Sequence, residues 1–192
     1  MNDNEKKECQ PENVQPIDPA QSDFESGKKF LQEASYGQAA NAFHNALLGF
    51  EQTNNEQGIA NANDKLGDIC RERQEFEKAL RYYQGSQEIC EHLKDTPSVL
   101  ALLKKKAFCH RSLGQLSETL SLSFQLLDIY TDWQNPALSV EILSDIAGLF
   151  TEMGEREKAA DTYKTAAAIH RNYGHTIIAQ ELLDKADTVL AG

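Results

Sequence analysis

Three observations predict an all-α chain built as an array of antiparallel helix pairs. The stretch from Asp64 to Ile89 reads as two amphipathic helices joined by a tight turn. In it Leu66, Gly67 and Cys70 mark one stripe, a break falls at Arg73-Gln74-Glu75, and Phe76, Ala79 and Tyr83 follow at one-turn spacing. The pattern then recurs. Glu155 to Tyr163 (EREKAADTY) keeps the Glu, Glu, Lys, Ala and Tyr positions of Glu75 to Tyr83 (EFEKALRYY) 80 residues later, and Ile89, Ile129 and Ile169 stand 40 apart. Finally, no run alternates β-branched and polar residues as a strand would. A period of about 40 residues marks a helical repeat array, in which each hairpin buries its apolar face against its neighbours.

The elements follow in order. Residues 1–20 are polar, carry Pro11, Pro16 and Pro19, and are expected to form a disordered arm. Four helix pairs are expected at about 21–34 and 37–52, 57–73 and 76–93, 97–112 and 116–132, and 137–152 and 156–172. The first pair turns at Ser35-Tyr36-Gly37, the third at Leu113-Gly114-Gln115 and the fourth at Met153-Gly154-Glu155. Gly114 and Gly154 sit where the chain reverses and positive φ is needed, while Pro97 and Pro136 sit at helix starts, where a missing N–H costs least. In the fourth pair Leu143, Ile146, Ala147 and Phe150 face Ala159, Tyr163 and Ala166. A last helix at about 175–190 turns Ile178, Leu182, Leu183 and Ala186 inward and keeps Gln180, Glu181, Asp184 and Lys185 in solvent.

Composition bounds the function. With 192 residues and 40 % hydrophobic content, the chain is long enough for a substantial core. A net charge of −11 argues against nucleic-acid or anionic-membrane binding. No apolar run approaches the roughly 20 residues that span a bilayer. The first residues lack the apolar segment of a secretory signal, so a cytoplasmic location is expected. Cys9, Cys70, Cys90 and Cys109 form no C-x2-C pair, so neither a disulfide framework nor a structural zinc site is expected. Cys70 and Cys109 read as small core hydrophobes, and Cys9 as a free thiol in the polar arm.

The helix pairs resemble the tetratricopeptide repeat (TPR) family, whose pattern is Leu-Gly-x2-Tyr in the first helix and Ala-x3-Phe/Tyr-x2-Ala in the second. Leu66-Gly67-x2-Cys70 with Ala79-x3-Tyr83-x2-Ser86 carries it in the second pair. Gly27-x2-Phe30 with Ala39-x3-Phe43-x2-Ala46 carries it in the first, and Ala147-x2-Phe150 with Ala159-x3-Tyr163-x2-Ala166 in the fourth. The third is degenerate: Ala107-x2-His110, then Thr119-x3-Ser123-x2-Leu126. Gly58-x-Ala60-x-Ala62-x3-Leu66-Gly67 looks like a repeat start of the longer, 40-residue variety of spindle-orientation adaptors and some bacterial regulators. The resemblance implies a right-handed superhelical solenoid with repeats at about 21–55, 56–95, 96–135 and 136–174 and a capping helix at 175–190.

It also implies a concave groove, lined by the first helices, in which a partner peptide or helix lies. By the repeat register the groove takes Gln21, Phe24, Lys28 and Leu31, then Asn61, Asp64, Asp68 and Arg71. It continues with Ala101, Lys104, Phe108 and Arg111, then Glu141, Ser144, Gly148 and Thr151. Arg71, Lys104 and Arg111 around Phe108 would hold a carboxylate and an apolar anchor. The plainer alternative is that these cations pair with Asp64, Asp68 and Glu141 on a solvated face.

No set with catalytic spacing is present: no Gly-rich phosphate loop, no H-E-x-x-H and no G-x-S-x-G. His44, His92, His110, His170 and His175 are scattered, and His110 points away from its neighbour Cys109 on a helix. No catalytic residue, metal or cofactor is therefore expected. The leading expectation is a non-enzymatic protein-interaction scaffold or adaptor. The alternatives are a small acidic TPR chaperone for secretion or assembly clients, and a self-assembling homo-oligomer.

Overall fold

A computed structural model describes residues 18–192. Among the described residues the chain forms nine α-helices and no strand: α1 (Pro19–Gln32), α2 (Tyr36–Gln52), α3 (Glu56–Glu72), α4 (Phe76–His92), α5 (Thr96–Ser112), α6 (Leu116–Asp132), α7 (Pro136–Glu152), α8 (Arg156–Asn172) and α9 (Thr176–Ala191). From α2 onward the helices start twenty residues apart. Each packs chiefly on the helix before it and the helix after it, the contact pattern of a solenoid.

One turn design sets this rhythm. At every junction the last helical carbonyls accept bonds in a Schellman arrangement, as in Glu75 N–H to Cys70 O at 2.9 Å and Gln74 N–H to Arg71 O at 2.9 Å. That arrangement needs one residue in the left-handed region. Gly114, Gly154 and Gly174 supply it at three turns, whereas Ala34, Asn54, Gln74, Lys94 and Gln134 are held there with φ of 51–60°. The reversal after α1 consequently centres on Ala34, and Tyr36 and Gly37, expected in the turn, are helical. The entries of α1, α3, α5 and α7 are capped by Asp18, Asn55, Asp95 and Asn135, whose side chains accept backbone N–H bonds. Because Asp18 caps and Pro19 opens α1, residues 19 and 20 of the expected arm are helical, and Ala20 is buried. Residues 1–17, with Cys9, lie outside the described residues.

The core is built from small-on-aromatic contacts between paired helices. Ala39, Phe43, Ala79, Tyr83 and Ala159 are fully buried. Gly67 lets α3 approach the Tyr83 ring so closely that a Cβ there would lie 2.5 Å from it. The third pair departs from this rule, with Thr119 and Ser123 where the other pairs place alanine and an aromatic. There α5 and α6 pack less closely than α1 with α2 or α3 with α4. At the C-terminal end Leu182 and Ala186 are buried as expected, but Ile178 is exposed and Ala179 takes the inner position. Helix α9 has α8 as its main packing partner, so only one side of it is covered.

Candidate functional site

The odd-numbered helices carry the residues assigned to a groove, and two successive helix junctions among them are of opposite character. At the junction of α3, α4 and α5, charge fills the space. Lys105 Nζ lies 2.6 Å from Asp64 Oδ1 and 2.8 Å from Asp68 Oδ1. Lys65 adds a second cation at 3.1 Å from Asp64 and 3.7 Å from Asp68. The Tyr83 hydroxyl donates to Asp68 Oδ1 at 2.8 Å. Burial works against the Lys65 ammonium, but Asp64 and Asp68 outweigh it and raise its pKa above the usual lysine value. Burial first, then Asp68, pushes the Tyr83 phenol far above its ordinary range. Asp64 and Asp68 are thus already satisfied, side chains only 22 % and 17 % exposed.

At the junction of α5, α6 and α7 the corresponding space is open. A pocket of about 260 Å3 is lined by Ala107, Phe108, Ser123, Leu126, Tyr130 and Leu149, with Lys104, Arg111, Glu141 and Asp145 also lining it. The Lys104 ammonium lies 5.6 Å from the Tyr130 ring centroid. Phe108 is 55 % exposed; its ring meets Phe76 edge-on at 6.2 Å, and the Arg71 guanidinium lies 5.9 Å from its centroid. Although Asp145 is open to solvent, desolvation in its crowded surroundings and then Glu141 raise its carboxyl pKa, against Arg111 and Lys104. The Tyr130 hydroxyl, on a side chain 1 % exposed, has no hydrogen-bond partner among the described residues.

The structure thus brings Lys104, Phe108, Arg111 and Glu141 to one pocket, while the remaining assigned residues are dispersed. Arg71 bonds Glu72 at 3.0 Å and lies 3.7 Å from Asp68, and Arg111 pairs with Glu152, so the three cations do not converge as one free cluster. Phe24 is half-buried against Phe43, ring centroids 5.2 Å apart, and belongs to the core. Lys28 pairs with Glu25 at 2.9 Å, and exposed Asn61 accepts from Gln57 at 3.5 Å. Ser144 and Thr151 bond back to the carbonyls of Val140 and Ala147 on their own helix. His110 hydrogen-bonds Gln115 at 2.6 Å, and Cys109 is fully buried with its thiol pushed by burial up to about 11. The adjacent pair therefore shares no site.

Lys105, Tyr130 and Asp145 were not anticipated. The Lys104-Lys105-Lys106 run distributes its charges to three different places: the open pocket, the two aspartates, and Gln84 with Gln87. The readable signal for the pocket was the pair Thr119 and Ser123, polar residues at positions the other hairpins fill with alanine and an aromatic.

Hairpins stacked with one turn design and one small-on-aromatic contact define a helical-repeat solenoid. Residues 64–96 match the tetratricopeptide repeat family, so the chain carries a TPR and the TPR-like fold. The nearly identical TPR-like repeats of a Podosopora anserina protein assigned as a kinesin light chain superpose with a TM-score of 0.62 at 16 % identity, covering 90 % of this chain and 96 % of that one. The apo form of RapI is similar with a TM-score of 0.73 at 14 % identity, over 88 % of this chain and 48 % of that one. MamA gives 0.60 at 13 % identity, over 91 % and 89 %. At these identities the likeness is one of fold. No curated protein sequence matches the chain. Among the described residues no helix is long and apolar enough to cross a membrane.

Proposed function

We propose that this chain is a non-enzymatic protein-interaction scaffold that holds a partner peptide or helix along the face formed by α3, α5 and α7. The observation that carries this reading is the open junction at α5–α7, where an apolar pocket is bordered by charges left without ion-pair partners. Among the described residues Lys104, Glu141 and Asp145 make no salt bridge, although ion pairs are common elsewhere along the same helices. Exposed charges around an apolar recess suit a polar rim around a desolvated anchor. An acidic chain of net charge −11 would recruit such a partner by long-range attraction if the partner is basic.

The test is affinity capture of partners at low and high salt, comparing the native chain with Lys104→Glu. This substitution leaves every ion pair described above intact. A salt-sensitive basic partner that the variant, with its added negative charge, captures more strongly supports the groove. A folded variant that keeps all partners with unchanged affinity refutes it.

A second reading, self-association, is favoured by one feature. Tyr173, just before α9, and Ile177 and Ile178 in its first turn are exposed apolar residues, 61 %, 76 % and 44 % exposed. Light scattering over a concentration series decides it, and a constant monomer mass would exclude it.

A further inference from the structure

We infer that the pocket between α5, α6 and α7 is a socket for one aromatic side chain with a polar tip, a tyrosine or tryptophan of a protein partner, next to a basic residue of that partner. This deepens the scaffold reading and rests on it for the occupant being a protein. The socket exists because the third hairpin lacks its own aromatic. Phe43, Tyr83 and Tyr163 occupy the matching position in the other hairpins, and Ser123 stands there in the third. Phe43 and Tyr83 are fully buried against Gly27 and Gly67; Ser123 faces the slot beside Ala107 and bonds back to Thr119 O at 3.0 Å. A cavity of roughly 150 Å3 takes a benzene ring. The 260 Å3 here therefore fits a single phenol or indole and is small for a cofactor, whose pockets run from roughly 300 to 1,000 Å3.

Three features define the occupant. The walls from Ala107, Leu126, Ile142 and Leu149 are apolar, which suits a ring. The Tyr130 hydroxyl lies buried without a partner among the described residues, a state folded proteins rarely leave uncompensated, which calls for a polar atom on that ring. The border carries the carboxylates Glu141 and Asp145 against Lys104, the one lining cation without an ion pair among the described residues, since Arg111 is engaged by Glu152. The local excess is negative and selects a basic neighbour. At the preceding junction these needs are met internally: Tyr83 fills the slot and bonds Asp68, and Lys105 neutralises Asp64 and Asp68. Residues 1–17 contain no aromatic side chain, so this part of the chain cannot supply the ring.

The test uses p-cresol and toluene as side-chain probes on the full chain, read by amide chemical shifts and by the fluorescence of Trp133. Trp133 is the only tryptophan, and its ring lies 6.2 Å from that of Tyr130. Both probes should give saturable shifts confined to α5–α7. Tyr130→Phe should weaken p-cresol by about fivefold, the effect of one neutral hydrogen bond, and leave toluene unchanged or tighter. Ser123→Tyr should abolish both. Should Ser123→Tyr not fold, the Tyr130→Phe comparison alone decides. N-acetyl-Tyr-Arg-amide should bind at least about threefold more tightly than N-acetyl-Tyr-Glu-amide, because a rim charge discriminates by fractions to about one kcal/mol. No saturable shift, shifts outside α5–α7, or equal response to p-cresol in Tyr130→Phe overturns the socket; equal dipeptide affinities overturn the basic neighbour. Slot signals that change with protein concentration in the absence of probe identify a second copy as the occupant and overturn the partner assignment. Loss of probe binding with salt-sensitive partner capture intact refutes the socket alone. Probe binding with capture indifferent to Lys104→Glu refutes the groove reading alone.

Discussion

Two glycine-to-alanine substitutions on odd-numbered helices, one in α3 and one in α7, should change stability in opposite directions. Gly67 in α3 and Gly148 in α7 both sit in helix interiors. Alanine in a helix interior is favoured over glycine by about 0.8–1.0 kcal/mol. At Gly148 nothing lies within 4 Å of an added Cβ, so Gly148→Ala should stabilise by about 0.5–1 kcal/mol. At Gly67 the same methyl lands 2.5 Å from Tyr83 Cε1 and 2.7 Å from Cδ1. Carbon atoms rest at roughly 3.5–4.0 Å, so one backbone must retreat. The ring has little freedom to move, because it is fully buried and its hydroxyl is bonded to Asp68 at 2.8 Å.

Overpacking of this kind costs about 1–3 kcal/mol. After the propensity gain, Gly67→Ala should still destabilise, by up to about 2 kcal/mol. Urea unfolding followed by helical circular dichroism measures both variants. Adding Tyr83→Leu to Gly67→Ala should cost less than the sum of the single changes, since the smaller side chain relieves the overlap. If both alanine variants shifted the midpoint in the same direction by similar amounts, the close approach of α3 to Tyr83 would be wrong.

Three further outcomes follow from the same geometry. Gln74→Gly and Lys94→Gly relieve left-handed backbone at φ of 60° and 56°, and each should stabilise by about 0.5–1 kcal/mol in thermal unfolding, while Gly154→Ala should cost about 1 kcal/mol. Lys105→Met leaves Asp64 and Asp68 with only the longer ion-pair contacts to Lys65 and Arg71, beside the Tyr83 hydrogen bond to Asp68; the loss should be about 2 kcal/mol, between an exposed and a fully buried pair, and Asp68→Asn in the same chain should recover part of it. Asp145 has its carboxyl pKa raised by desolvation and Glu141, so the folded state binds that proton more tightly than the unfolded one and loses stability as pH rises through the raised value. Asp145→Asn should therefore unfold at higher temperature near pH 7, with the advantage disappearing on acidification below the unfolded value of 3.8.

The helices were legible because twenty-residue spacing repeats the same physical demand: an apolar stripe, then a residue that can turn left-handed. The first turn was misplaced because Gly37 advertises conformational freedom, whereas Ala34 is forced into the left-handed region by the Schellman bonds around it. The register also placed Lys104, Phe108, Arg111 and Glu141 on neighbouring faces, since residues one repeat apart occupy matching positions. Which carboxylate meets which cation was not legible. Arg111 meets Glu152 and not Glu141, because the choice depends on how far one hairpin slides along the next. Lys105 was overlooked because a single stripe was counted along α5, while adjacent helical residues project in different directions. Tyr130 was overlooked because it belongs to α6, a second helix, and only first helices were assigned to the groove.

The unpartnered Tyr130 hydroxyl separates a tyrosine kept for packing from one kept for binding. A buried hydroxyl without a partner costs about 1–3 kcal/mol relative to one that is hydrogen-bonded. In the free chain that cost is present, because the ring is held by the cluster of Leu103, Leu122, Leu126, Ile142 and Ile146 while its hydroxyl, on a residue that lines the slot, has no partner among the described residues. Phenylalanine fills the same packing role without the penalty. Tyr130→Phe should therefore leave the free chain equally stable or more stable in thermal unfolding. If Tyr130→Phe destabilised the free chain by more than about 1 kcal/mol, its hydroxyl would have a satisfied structural role, and the argument for a polar-tipped occupant would fail. With stability retained, the hydroxyl has no structural use within the described chain, and a ligand that reaches it recovers what folding left unspent.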